Sequence, residues 1–184
     1  MSAYPDRPCI RGQRVVLRGV VDGDVEARFA LGNSAEIQRM FGADPAQLRP
    51  ITKDAAKAWI DAHGTDPNAW LIEAEGALIG AVRLHSINRA DLRAYIAIGL
   101  LSEERLGRGY GTEAMQVLAA YVFDALKLHR LTCRVLAFNE RAVAAYKKVG
   151  FVVEGRERES ALIGNIWHDD LILGLLPSDL RRLS

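Results

Sequence analysis

The chain has 184 residues, 49% of them hydrophobic and 26% charged, and its 24 Lys and Arg against 23 Asp and Glu leave a formal net charge of +1. That size and apolar content suit a single domain with a buried core, and the near-zero balance gives no global attraction to nucleic acid or an anionic membrane. No apolar run approaches the roughly 20 residues that span a bilayer. The stretch from Met1 to Arg14, polar and holding Pro5 and Pro8, lacks a signal-peptide core, so the expectation is a soluble, cytoplasmic protein. Cys9 and Cys133 show no metal-ligand spacing. One disulfide is arithmetically open, but Cys133 lies in an apolar strand pattern and is expected as a buried thiol, with no structural metal.

Arg14 to Arg18 reads as a first strand, followed by a helix from Val20 to Gly32 with Asp22 or Asp24 as N-cap and Gly32 as its stop. Gly42 to Pro50 is expected as loop. Thr52 caps the next helix, whose Ala55, Ala56, Trp59, Ile60 and His63 fall at helical spacing before Gly64. Ala69 to Ala74, Glu75-Gly76 and Ala77 to Leu84 form a hairpin pattern with a two-residue turn. A further strand from about Leu92 to Leu101 makes a three-stranded antiparallel meander. Thr112 to Lys127 is an amphipathic helix striped by Ala114, Val117, Leu118, Tyr121, Val122, Ala125 and Leu126. Leu131 to Ala137 is a strand, Asn139 to Lys148 a helix capped by Asn139 and closed by Gly150, and Phe151 to Gly155 and Trp167 to Leu175 complete the sheet around a bend at Gly164-Asn165. An antiparallel meander followed by strand–helix alternation predicts a mixed α/β (α+β) sheet. One domain over 14–176 is expected, with tails at 1–13 and 177–184.

The most informative stretch is Arg105-Leu106-Gly107-Arg108-Gly109-Tyr110-Gly111-Thr112, three glycines at alternate positions between a strand and a helix. Glycines there let the backbone take positive φ and approach a ligand. The free N–H groups of the helix's first turn then converge on an anion such as a phosphate, with Arg105 and Arg108 adding positive charge. A P-loop is excluded because the stretch holds no Lys, and the dinucleotide fingerprint is excluded because its third glycine would fall at Thr112. By themselves the glycines equally suit a tight turn that lets the helix pack closely.

One strand later comes Asn139-Glu140-Arg141-Ala142-Val143-Ala144-Ala145-Tyr146-Lys147-Lys148-Val149-Gly150-Phe151. Together the two stretches resemble the GCN5-related N-acetyltransferase (GNAT) superfamily: the glycine loop is similar to its pyrophosphate-binding motif. The second stretch is similar to its N-x-x-[SA]-x-x-x-Y-x-K-x-G-F segment at Asn139, Ala142, Tyr146, Lys148, Gly150 and Phe151. Gly164 to Asp169 before an apolar strand resembles the branch of ribosomal-protein and spermidine N-acetyltransferases. The family motif carries Gln or Arg where this chain has Leu106.

The resemblance implies a single-domain fold whose mixed, mostly antiparallel sheet holds two splayed central parallel strands. It implies acetyl-CoA as cosubstrate, with Arg105, Leu106, Gly107, Arg108, Gly109, Tyr110, Gly111 and Thr112 at its phosphates and Leu100 and Leu101 beside its pantetheine arm. The N–H of Leu101 or Leu100 would polarise the thioester carbonyl, Asn139 would contact the cofactor while capping its helix, and Tyr146 would be the general acid to the leaving thiolate. Read in isolation, Tyr146 is equally a half-buried aromatic at helical spacing with Ala142 and Val149. A base must deprotonate the amine, and the residues name none: Glu103 and Glu104 suit a solvated turn, His85 a structural place at a strand end, and Asp169 a strand-holding role. Glu154, Glu157 and Glu159 could attract a polycation, but Arg156 and Arg158 alternate with them as in an exposed charged ribbon.

The expected activity is transfer of acetyl by direct attack of a primary amine, either a protein N-terminus of ribosomal-protein type or a small-molecule amine of unknown identity. The branch commonly forms homodimers. The alternative is a non-catalytic acyl-CoA-binding or regulatory module on the same fold. Nucleic acid is disfavoured, because Arg7, Arg11, Arg14 and Arg18 are widely spaced and form no basic helix face.

Overall fold

The computed structural model describes residues 7–183. In chain order they form β1 (Ile10–Arg11), β2 (Val15–Arg18), α1 (Asp24–Ala30), α2 (Ala35–Met40), α3 (Lys53–Thr65), β3 (Ala69–Ala74), β4 (Ala77–Asn88), β5 (Arg93–Leu100), α4 (Tyr110–Asp124), β6 (Arg130–Leu136), α5 (Glu140–Val149), β7 (Val152–Ile163) and β8 (Ile166–Leu175), with 3₁₀ turns at Pro45–Gln47 and Glu103–Arg105. The strands make an eight-stranded sheet in the order β1-β2-β3-β4-β5-β6-β8-β7. Every neighbouring pair is antiparallel except β5–β6. This is the mixed α/β sheet expected from the alternation of elements, mostly antiparallel as the resemblance implies.

The near-continuous apolar run of β3 is buried on both faces, as a strand covered on two sides requires. Trp70 and Ile72 pack with Ala114, Met115 and Leu118 of α4, whereas Leu71 packs with Ile60 of α3. Glu75 and Gly76 take φ of 53° and 73°, the paired left-handed conformations of a tight hairpin turn matched to strand twist. Among the described residues, no helix is long and apolar enough to cross a membrane.

The β5–β6 contact matters most. The two strands pair only at Arg93↔Arg130, Ala94↔Leu131 and Tyr95↔Thr132. Beyond that point β6 keeps its ladder with β8 from Cys133↔Leu173 to Leu136↔Asp170, and β5 keeps its ladder with β4 out to Gly80↔Leu100. The parallel pair therefore opens into a V, the splay implied by the resemblance.

Several boundaries differ from expectation. Neither Asp22 nor Asp24 caps α1; Gly23 does, at φ 91° and with no side-chain cap. Asp24 is instead drawn inward by Arg18, whose Nη1 and Nη2 donate to its carboxylate at 2.8 and 2.9 Å. Between the expected Val20–Gly32 helix and the loop lies an unexpected short helix, α2, capped by Ser34, whose Oγ accepts the Ile37 N–H at 3.1 Å. α3 continues through Gly64 to Thr65, and β4 continues to Asn88, so His85 lies within the strand and not at its end. α4 starts two residues early, on Gly109. β7 runs to Ile163 instead of Gly155, because pairs such as Leu162↔Trp167 extend its ladder with β8 past a bulge between Glu157 and Ala161.

At the two ends of the described chain, Trp70 Nε1 donates to the Pro8 carbonyl at 2.9 Å and the Arg7 guanidinium binds the carbonyls of His63, Gly64 and Ala69. Leu180 is buried, and Arg181 N–H donates to the Val149 carbonyl at 2.9 Å. Cys9 is exposed, Cys133 is buried, and both are free thiols.

Candidate active site

The open side of the V is a cleft of about 990 Å³ between β5 and β6, closed by the start of α4, by α5 and by the end of α2. Among its walls are Leu100, Arg105, Leu106, Gly107, Gly109, Tyr110, Gly111, Thr112, Asn139 and Tyr146, twelve expected site positions less Leu101 and Arg108.

At one end stands the N-terminus of α4. Gly109 takes φ 87°, a conformation costly for other residues. The first intrahelical bond runs from Glu113 N–H to the Gly109 carbonyl at 3.0 Å, so the N–H groups of Tyr110, Gly111 and Thr112 lie outside the helix's own ladder. With the helix dipole behind them they suit an anion. The loop is held from behind by two carboxylates that sequence reasoning passed over. Glu113, 3% exposed, accepts Arg14 N–H at 2.6 Å, Val15 N–H at 3.1 Å and Arg14 Nε at 3.0 Å. Arg14 also donates to the Arg108 carbonyl at 3.0 Å and lies over the Tyr110 ring. Glu75, at the β3–β4 turn, accepts Tyr110 Oη and Arg105 Nη1, each at 2.6 Å. Those two partners hold the Glu75 carboxyl below the usual carboxylate range. Arg105 thus borders the cleft in an ion pair, while Arg108 is exposed outside its walls. The detectable signal for Glu113 was its place: a carboxylate in the first turn beside an anion site would repel the ligand unless paired away from it.

Strand alternation decides between Leu100 and Leu101. Leu101 N–H donates to the Ile79 carbonyl at 2.9 Å, so odd-numbered residues of β5 bond β4. The even-numbered residues therefore face β6; the Ile96 N–H is taken up where β5 still pairs β6 at Tyr95↔Thr132, and the N–H groups of Ile98 and Leu100 face the open V. The Leu101 N–H is thereby excluded as the donor to the thioester carbonyl, which leaves Leu100, and Ile98 was missed because the ladder's phase cannot be read before the strands are paired.

Asn139 caps α5 as expected, its Oδ1 accepting Ala142 N–H at 3.1 Å, and its Nδ2 reaches the Met40 carbonyl of α2 at 3.3 Å. Tyr146, 6% exposed, packs edge-on against Phe151. Burial, and then the neighbouring Cys133, push its phenol well above the ordinary range, so it stays protonated. Burial likewise pushes the Cys133 thiol up to about 12, leaving it an inert packing group.

The opposite sheet face carries Arg83, His85, Tyr95 and Arg134 into the same cleft, covered by Met40 of α2 and by Phe41, which caps that helix. Phe41 presses on Gly99, where an added Cβ would meet its ring at 2.6 Å. Of the carboxylates weighed as bases, Glu103 is bound by Ser34 Oγ and Asp169 accepts Arg156 Nη1 at 2.7 Å and Glu159 N–H at 2.9 Å. Asp169 thereby holds the β7 bulge. His85 reaches the cleft, and burial followed by the charge of Arg83 hold its imidazole below its ordinary pKa, so it is neutral near pH 7. Glu154 and Glu157 pair with Arg130 and Arg134, as in the charged ribbon reading.

Residues 14–152 match the family described as "Acetyltransferase (GNAT) domain". The chain is 31% identical over 141 residues to the spermidine N(1)-acetyltransferase of Escherichia coli (strain K12), covering 77% of this chain and 74% of that one. It is 23% identical over 105 residues to the [ribosomal protein uS5]-alanine N-acetyltransferase of the same organism, covering 57% of this chain and 54% of that one. The crystal structure of spermidine N-acetyltransferase from Vibrio cholerae in complex with CoA and spermine superposes with a TM-score of 0.73 at 26% identity, covering 91% of this chain and 98% of that chain. A family match over most of the length, on a sheet that opens between β5 and β6 at a glycine-led helix start, has one reading: this chain belongs to the GNAT family of acetyltransferases and is an N-acetyltransferase.

Proposed function

We propose that the protein transfers an acetyl group from acetyl-CoA to a primary amine by direct attack, the acceptor being a protein N-terminus of ribosomal-protein type or a small-molecule amine. The observation that carries this reading is that one cleft collects the N–H groups of Tyr110, Gly111 and Thr112, the inward N–H groups of β5 and the protonated Tyr146. These groups fit an anionic head, an amide-bearing arm and a leaving thiolate in that order. The spermidine N-acetyltransferase neighbour from Vibrio cholerae is a complex with CoA.

Acetyl-CoA supplies the activated thioester. The start of α4 binds its pyrophosphate through backbone N–H groups, which is why Leu106 suffices where the family carries Gln or Arg. Leu100 lies against Gly111 and so serves the arm beside the phosphates. Deeper in the V the Ile98 N–H faces in, where it would stabilise charge developing on the thioester's carbonyl oxygen. Tyr146 donates its proton to the departing sulfur. His85, neutral and on the acceptor face, takes the ammonium proton directly or through water.

The test is thiol release from acetyl-CoA against spermidine, an aminoglycoside, an amino sugar, amino acids and short peptides with free N-termini, with calorimetric titration of CoA alongside. Turnover with one amine class supports the reading and names the acceptor. Tight CoA binding with no turnover favours the binding-module alternative, and absence of CoA binding removes the cosubstrate assignment.

A further inference from the structure

The acceptor side of the cleft presents four charged side chains: Arg83 on β4, Arg134 on β6, Asp170 on β8 and Glu157 on β7. Both carboxylates are already committed. Arg134 holds Asp170 through Nε at 3.2 Å and Glu157 through Nη1 at 3.3 Å. Asp170, only 4% exposed, also accepts Ser160 Oγ at 2.8 Å.

Arg83 is different. It is exposed, it lines the cleft, and among the described residues it forms no ion pair and no side-chain hydrogen bond. Asp66, whose charge is felt at His85, turns its carboxylate to the Asn68 N–H at 2.9 Å and does not pair with Arg83. Alternation along β4 puts Arg83 on the face of Ala81, the side of the sheet that packs Ile60 of α3. In the β4–β5 ladder it stands opposite Ala97, next to Ile98, with about 4.8 Å between the two backbones.

A second ammonium entering this space would find no carboxylate without an arginine on it. An anionic group on the acceptor would find an uncommitted guanidinium one residue from the inward N–H of Ile98. We propose that the acceptor is an amine carrying a carboxylate a few bonds from its nitrogen, of amino-acid type and not a polyamine, and that Arg83 binds that carboxylate. This rests on the acetyl-transfer reading above and sets the chain apart from its relatives named for spermidine. Arg83 is a specificity residue: it holds the acceptor's carboxylate and itself neither takes nor gives a proton.

The experiment compares acetylation of each amino acid in a panel with that of its decarboxylated amine, and with spermidine, by thiol release. At least one amino acid should be used about tenfold better in kcat/KM than its decarboxylated partner, the worth of one charge-assisted hydrogen bond pair. Arg83→Gln should erase that preference through KM with the affinity for CoA unchanged, and Arg83→Lys should restore part of it. Spermidine turnover with every carboxylate-bearing amine refused would overturn this proposal and leave acetyl transfer standing. A preference untouched by Arg83→Gln would overturn the role of Arg83. CoA binding with no amine accepted would overturn the acetyl-transfer reading and this proposal together.

Discussion

Glu113 and Arg14 lie far apart in the chain, yet the carboxylate of the first binds the second twice, through the backbone N–H at 2.6 Å and through Nε at 3.0 Å. The pair fastens the start of α4 to β2 and turns the only acidic side chain of the helix's first turn away from the cleft. It is therefore both a structural tie and the condition for an anion to be welcome at that helix end.

Glu113→Ala leaves the buried Val15 N–H and the half-buried Arg14 N–H without their acceptor, at a cost of about 3 kcal/mol. Urea unfolding should show a lower midpoint with an unchanged m-value, and CoA affinity should fall as the loop loses its anchor. A midpoint equal to that of the parent protein would show that the tie contributes nothing.

The same carboxylate makes stability pH-dependent. Burial raises its pKa, but the N–H groups of Arg14 and Val15 and the Arg14 guanidinium outweigh that and hold it below the usual carboxylate range. A carboxyl depressed in the folded state contributes its stability above the unfolded value, near 4.3, and loses it as pH falls through the folded value. The stability gap between the parent protein and Glu113→Gln, measured by urea unfolding, should be constant from pH 7 to about 5.5 and close below about pH 4. A gap that widened in acid would contradict this assignment.

Gly109 stands at φ 87°, and a Cβ there would lie 3.0 Å from Arg14 Nη2. Gly109→Glu adds backbone strain, bulk and a negative charge at the anion site. Calorimetric titration should show CoA affinity reduced by roughly 100-fold, about 2.7 kcal/mol. Undiminished affinity would place the phosphates elsewhere.

Tyr146→Phe keeps the edge-on packing with Phe151 and removes the phenolic proton. A lost general acid is worth about 100-fold or more in turnover, so kcat should fall by about that much with CoA affinity unchanged. An unaltered rate across the pH range would make Tyr146 a packing residue.

Much of the frame was legible one-dimensionally because its signals are local. Glu75-Gly76 announces a hairpin turn, Asn139 caps the helix it precedes, and alternate glycines before an amphipathic helix mark a backbone that must take positive φ. Such features are decided by a few neighbouring dihedrals. The misreadings came where distant partners intervene. Asp24 looked like a cap because no local pattern records that Arg18 draws it inward, and β7 looked as if it ended at Gly155 because its further ladder with β8 lies across a bulge.

The sequence by itself determined that the chain builds a mixed sheet with a glycine-led helix start followed by the Asn139–Phe151 segment, since periodicity, caps and turns are properties of contiguous residues. Only the tertiary structure decided which β5 amides are open, that Arg105 faces Glu75, and that Arg83 stands uncommitted while Arg134 holds both neighbouring carboxylates. Hydrogen-bond phase and charge pairing are set between strands that the chain brings together from afar, and no local run of residues carries that information.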